Sequence, residues 1–297
     1  MFDATHYAEV GDGVRLAYCD SSGAASQALL LLHGIFDHKR TWSPLAARLS
    51  GVRCVAPDLL GHGHSDRPPL THLPPERRYS PDTQAEYLCA FVEAMGLESL
   101  VLGGSSLGGG IALRLYLDYP EVRRRTRALV LVAAAGYPQP LPGYIREMGG
   151  WLGSALQQPL VHALCKKTGL LARGAQRSVA RCFHDLSAVP PVLVADTLAA
   201  LQRIDTFYAY QLSARNIVPP DIDELAHRLG EVTVPTLVFW GREDRIINPL
   251  NALRFAEDIP HAQVHLFDHC GHAPHIECAE EMASILHPFI TQHAAKG

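Results

Sequence analysis

The strongest chemical signal in the chain is Gly103-Gly104-Ser105-Ser106-Leu107-Gly108-Gly109. Read around Ser106 it is G-x-S-x-G, with Gly104 and Gly108 two positions to either side. The apolar run Leu100-Val101-Leu102 precedes it, and Ile111–Tyr119 after it reads as a helix. A serine on a tight strand-to-helix turn holds its hydroxyl clear of the sheet, and flanking glycines let neighbouring backbone pass without a clash. The register centred on Ser105 puts Leu107 where the second glycine should stand. Ser106 is therefore the candidate nucleophile. The pentapeptide alone would also suit an ordinary Gly/Ser turn, and the strand and helix around it argue for the chemical role.

A hydroxyl is a poor nucleophile until a base takes its proton, and the base needs a partner to hold it. Partners in the order serine, acid, histidine would come from loops after later strands. Thr236–Trp240 is one such strand, and Gly241-Arg242-Glu243-Asp244-Arg245 follows it. Asp244 is the preferred acid and Glu243 the reserve, although a solvated acidic turn would have the same composition. The loop after Ala128–Val132 could also carry an acid, but it reads Ala133-Ala134-Ala135-Gly136-Tyr137 and holds no carboxylate. The candidate base is His272, between Gly271 and Pro274. His269 and His275 are expected on the surface or behind the site. Three histidines at every third position could suggest a metal, but Gly271 and Pro274 oppose the regular helix that would converge them, so no metal is expected.

A tetrahedral intermediate needs preorganised donors for its oxyanion. The backbone N–H of Leu107 is one candidate. The other is the N–H of Ile35, in the loop His33-Gly34-Ile35-Phe36 after the strand Ala28–Leu32. His33 is expected to orient that loop and not to act as the base.

These residues need a scaffold. Short runs His6–Val10 and Val14–Cys19 flank the hairpin signal Gly11-Asp12-Gly13. Unalternated apolar runs at Ala28–Leu32, Val52–Pro57, Leu100–Gly103, Ala128–Val132, Thr236–Trp240 and Gln263–Phe267 suit strands buried on both faces. Helices are predicted over Asp82–Gly96, Leu107–Tyr119, Pro249–Ile259 and Ala279–His293. The alternation predicts an α/β fold: a mostly parallel sheet with helices on both faces. From Tyr137 to about Gly230 there is no buried-strand run, only apolar residues at helical spacing between proline-rich breaks. The expected division is a core of residues 1–136 and 231–297, with residues 137–230 inserted as a helical cap.

Composition closes off other classes. The chain has 297 residues, 47% hydrophobic and 19% charged, which excludes disorder over most of its length. A net charge of −4 argues against a nucleic-acid partner. The Arg123-Arg124-Arg125 run is short and reads as a solvated connection. No apolar stretch is long enough to span a bilayer, and Met1 to Val10 lacks the pattern of a secretory signal. The seven scattered cysteines include no CxxC pair, so a reduced, cytoplasmic chain without a disulfide framework is expected. The Gly- and His-rich segment Pro57–Asp66 is followed by Pro68-Pro69 and not by a helix, so it reads as a surface loop without nucleotide chemistry.

Taken together, His33-Gly34, Asp58–Ser65, Gly104-x-Ser106-x-Gly108, Gly241–Asp244 and Gly271-His272 resemble the α/β-hydrolase fold superfamily in order and span. The resemblance implies a triad of Ser106, Asp244 and His272 beneath a cap. It is strongest to the branch holding esterases, epoxide hydrolases, haloalkane dehalogenases and meta-cleavage-product C–C hydrolases. Epoxide hydrolases and dehalogenases use an aspartate at the position of Ser106. The C–C hydrolases usually carry a glycine-rich oxyanion loop, unlike His33-Gly34-Ile35-Phe36. Prolyl aminopeptidases share the fold; the cap shows no clear acidic cluster to seat a substrate ammonium, and Asp196 and Asp205 keep that reading open. The leading expectation is a serine hydrolase acting on a small-molecule ester or thioester with an apolar acyl group, without a cofactor. Phe36, Trp151 and Phe207 are expected against that group, though packing within the cap would equally occupy Trp151 and Phe207. The alternatives are C–C hydrolysis of a vinylogous diketone acid and a non-catalytic ligand-binding receptor. Oligomeric state is not legible in one sequence.

Overall fold

The computed structural model describes residues 2, 4–21 and 27–294. Eight strands form one sheet: β1 (His6–Glu9), β2 (Arg15–Asp20), β3 (Gln27–Leu32), β4 (Cys54–Pro57), β5 (Ser99–Ser105), β6 (Thr126–Val132), β7 (Thr236–Gly241) and β8 (Ala262–Phe267). Their spatial order is β1-β2-β4-β3-β5-β6-β7-β8. β1 and β2 are antiparallel, β2 meets β4 antiparallel, and β3 through β8 run parallel.

The uninterrupted apolar runs follow from burial on both sides. Leu30, Leu32, Leu102, Leu129, Leu131 and Trp240 enter the core on one face. Their neighbours Leu29, Leu31, Val101, Val130, Val132 and Phe239 enter the core on the other. This is the period-two alternation of a pleated strand, with both faces apolar. The edge strands β1 and β8 are mostly exposed or half-buried.

The strand order reverses around β3. The chain steps from β3 to β4 on one side, then crosses through the helix Pro81–Ala94 to β5 on the other. That helix starts at Ser80, whose hydroxyl accepts the Thr83 N–H. The carboxyl ends of β3 and β5 thus lie side by side at a switch point, where open α/β sheets form a crevice. Leu32 pairs with Gly104 there, which sets residues 33–36 beside Ser106.

Between β6 and β7 the chain is helical. Its longer helices are Gly143–Gly149, Trp151–Leu156, Pro159–Lys167, Leu170–Ala180, Pro191–Leu201 and Ile204–Arg215. They bury a cluster of their own around Leu156, Leu171, Leu201, Phe207 and Tyr210. No helix among the described residues is long and apolar enough to cross a membrane.

The segment 58–66 departs from the expected surface loop. Asp58, His62 and Ser65 are buried. Local polar partners make this burial possible. Ser65 donates to the Asp58 carbonyl, and the Gln84 amide both accepts the Leu60 N–H and donates to the Leu60 carbonyl. The His62 ring lies 5.0 Å from the ring of Tyr210, in the helical segment between β6 and β7.

Candidate active site

Ser106 sits between β5 and the helix Leu107–Asp118 with φ +54° and ψ −121°. A non-glycine residue in this conformation costs on the order of 1–3 kcal/mol and persists where its surroundings hold it. Four bonds do so: the Ser106 N–H donates to Val132, and its carbonyl accepts from Gly109, Gly110 and Ala135. The flanking glycines are required by close approach. A Cβ on Gly104 would lie 2.2 Å from the Gly108 carbonyl oxygen, and one on Gly108 would lie 2.3 Å from that of Leu32.

Asp244 follows β7, and its side chain is fully buried. Four donors converge on its carboxylate. Oδ1 accepts from the backbone of Ile246 and Ile247, and Oδ2 from Trp240 Nε1 and His272 Nδ1. The His272 bond is 2.7 Å long. A carboxylate only accepts, so the hydrogen lies on Nδ1 and Nε2 is left to take a proton. The reserve acid Glu243 does different work: its Oε2 accepts the Cys270 N–H at 2.9 Å and holds the histidine loop.

His272 shares one cavity with Ser106, lined also by Gly34, Ile35, Phe36 and Leu107. The backbone at Gly34 passes close enough that a Cβ there would stand 3.2 Å from Ser106 Cβ. This brings the Ile35 and Leu107 segments to either side of the serine. His33 is buried behind them, its Nδ1 donating to the Gly34 carbonyl and its Nε2 accepting the Leu59 N–H. Both ring nitrogens are committed, and burial lowers its pKa, so it is neutral and unavailable as a base.

The other histidines separate. His269 is exposed. His275 is buried, contrary to a surface role, hydrogen-bonded to Thr41 and against Trp42 with ring centroids 4.4 Å apart. Among the described residues no group of three His, Cys, Asp or Glu side chains is placed to hold a metal.

Of the residues expected against the acyl group, Phe36 lines the cavity, whereas Trp151 and Phe207 do not. Phe207 is buried inside the cap against His162. Trp151 is 71% exposed on the cap's outside. Helical spacing marks a stripe without telling which way it faces. From the helical segment between β6 and β7, the cavity is lined instead by residues that include Tyr144, Ile145, Val179, Phe183 and Leu193. Asp196 and Asp205 do not line the cavity either; they pair with Arg40 and Arg203. Cys182 lines it, but burial pushes its thiol up, so it holds no thiolate to compete with Ser106.

A buried ion pair that sequence spacing does not reveal supports the segment that follows the loop 33–36. Lys39 Nζ lies 2.7 Å from Asp58 Oδ2, both side chains out of solvent. Asp58 also accepts the backbone N–H groups of Lys39 and His64. Burial pushes the Asp58 carboxyl up, and the Lys39 ammonium with these bonds more than reverses it, holding the group below the usual carboxylate range.

The model of the alpha/beta hydrolase fold family matches residues 27–279. The 2-hydroxymuconate semialdehyde hydrolase of Pseudomonas putida is 32% identical over 248 residues, 81% of this chain and 77% of that protein. Lipase 3 of Moraxella sp. (strain TA144) is 27% identical over 278 residues, 93% of this chain and 81% of that protein. In fold, the chain is similar to a meta-cleavage product hydrolase from Pseudomonas fluorescens IP01, with a TM-score of 0.74 at 23% identity and 97% of each chain covered. The family match spans the sheet from β3 to β8 and every segment that carries the candidate site, and relatives of this kind are enzymes that hydrolyse. The chain belongs to the α/β-hydrolase fold family and is a hydrolase.

Proposed function

We propose that this hydrolase cleaves a carboxylic ester, or the chemically similar thioester, with an apolar acyl group through an acyl-enzyme on Ser106. His272 Nε2 takes the Ser106 proton as the hydroxyl attacks the acyl carbonyl, and Asp244 steadies the resulting imidazolium. The N–H groups of Ile35 and Leu107 receive the oxyanion. His272 returns the proton to the departing alcohol, and a water activated by the same imidazole releases the acid.

The observation that carries the choice of substrate is the cavity wall. Ile145, Val179, Phe183, Leu193, Ile217 and Val218 form much of it, and no lysine or arginine is among its lining residues. An uncharged acyl chain gains from such a wall by about 25 cal/mol per Å² of apolar surface buried. A carboxylate would lose its hydration there without a cation in return. The cavity's own carboxylate, Asp37, would oppose it.

The second reading is hydrolysis of a C–C bond in a 2-hydroxy-6-oxo-dienoate. The P. putida relative, named for 2-hydroxymuconate semialdehyde, favours it. A panel of p-nitrophenyl esters of graded chain length, assayed beside such a dienoate, separates the two. The expected result is a kcat/KM that rises with acyl length to an optimum and exceeds that for the dienoate. A dienoate kcat/KM tenfold or more above the best ester would overturn the ester reading.

A further inference from the structure

The helix Pro159–Lys167 faces the wrong way for one that only covers protein. Leu160 is 86% exposed, Leu164 59% and Val161 37%. Its one buried side chain is a histidine, His162, which bonds the Leu201 carbonyl and meets Phe207 edge-on. A surface helix of a globular protein buries its aliphatic stripe and exposes its polar residues. Leu160 and Leu164 are one turn apart and share a face. The helix Trp151–Leu156 packs beside them and presents the exposed Trp151, and the helix Leu170–Ala180 on the other side opens with the exposed Leu170.

The charge of this region opposes that of the whole protein. Between Glu147 and Asp185 the chain has no Asp or Glu, and it carries Lys166, Lys167, Arg173, Arg177 and Arg181. All five are exposed. The protein as a whole has a net charge of −4. Leucines and an indole on a helical surface, in a stretch of chain that carries lysines and arginines and no Asp or Glu, match a layer that offers hydrocarbon below and negative charge above. The long cationic side chains reach headgroups while their stems stay against apolar surface. A second copy fits worse, because a two-fold pair would set this cationic face against itself.

We propose that the outer face of the cap, centred on Trp151, Leu160, Leu164, Lys166 and Lys167, docks peripherally on an anionic lipid surface. The docking face is the outside of the cap, so docking does not depend on the chemistry at Ser106.

Sedimentation of the intact protein with vesicles tests this. The protein is expected to bind phosphatidylglycerol–phosphatidylcholine vesicles, more weakly as salt rises, and to bind phosphatidylcholine alone far less. The pair Leu160→Ser/Leu164→Ser and the pair Lys166→Glu/Lys167→Glu should each weaken binding about tenfold or more. Both are exposed substitutions, so Tm should stay near that of the parent and exclude misfolding as the cause. Ser106→Ala should bind as the parent does, which separates docking from turnover at Ser106. Equal binding to both kinds of vesicle, or variants that bind as tightly as the parent, would overturn the proposal. So would a lipid-free dimer, seen by light scattering, that the leucine pair abolishes.

Discussion

The backbone N–H of His272 donates to the carbonyl of Cys182 at 2.7 Å, which fastens the imidazole-bearing loop to the cap as well as to the sheet. Glu277 doubles the connection. Its Oε1 accepts from Gly271 at 2.7 Å, and its Oε2 accepts from His184 at 2.7 Å and Asp185 at 3.0 Å. One carboxylate thus joins the histidine loop to the cap segment beside it. Glu277→Ala should lower kcat about tenfold on every ester with little change in KM, and lower stability by about 1–3 kcal/mol. Glu277→Gln keeps an acceptor and should fall between. Unchanged kcat in the alanine variant would show that the Glu277 bridge is not needed to position His272.

The two acids beside β7 should differ sharply. Asp244 Oδ2 receives the His272 hydrogen, so Asp244→Asn should cut kcat by several orders of magnitude, by analogy with about 10⁴ in a serine protease. Glu243 touches the backbone of Cys270, and glutamine there retains the acceptor. Glu243→Gln should cost less than about tenfold. Steady-state rates on one ester suffice, and the opposite ranking would move the acid by one residue.

The cap should select acyl length through its inner wall. Phe183→Ala or Leu193→Ala enlarges the cavity and should shift the chain-length optimum toward longer esters, changing the smallest ester least. Trp151→Ala should leave the profile of soluble esters as it was, since that ring faces solvent. A uniform loss on all esters that tracks a fall in Tm would instead make Phe183 and Leu193 part of the packing only.

Acid should weaken the fold well before its carboxylates titrate. Burial, with a neighbouring histidine, lowers the pKa values of His62 and His275 from 6.5 to about 3. Above pH 6.5 both are neutral folded or unfolded, and their contribution is whole. As pH falls toward 3, the unfolded chain takes up protons that the folded chain refuses, so stability falls, by at most about 1.4 kcal/mol per pH unit for each histidine. Urea midpoints should drop between pH 6.5 and 4.5, and His275→Gln should flatten that slope. A midpoint that rises on acidification would contradict the burial of neutral imidazoles.

Much of this was legible in the chain because strong local signals coincide with the sheet. Apolar runs such as Leu29–Leu32 and Leu129–Val132 admit few readings, and Gly104 and Gly108 stand where a Cβ would lie within 2.5 Å of backbone atoms. The order of loops after β3, β5, β7 and β8 follows from the parallel topology. What stayed hidden depends on long-range packing. Nothing in the spacing of Lys39 and Asp58 announces a buried pair, and nothing in Cys182 announces a carbonyl aimed at His272. The segment 58–66 looks polar enough for solvent, yet Gln84 and Lys39 satisfy it in the interior. Periodicity found the helices between β6 and β7 but could not tell that Phe207 packs among them and that Trp151 faces solvent.

The central claim is that Ser106 is the nucleophile that carries the acyl group. Intact-protein mass spectrometry after rapid quenching with a slowly deacylating p-nitrophenyl ester, followed by peptide mapping, tests it most directly. The account predicts one acyl mass added on the peptide containing Ser106, matched by a burst of nitrophenol, and no adduct in a folded Ser106→Ala variant. An acyl group mapped to another residue, or Ser106→Ala turning over the ester near the parent rate, would contradict it.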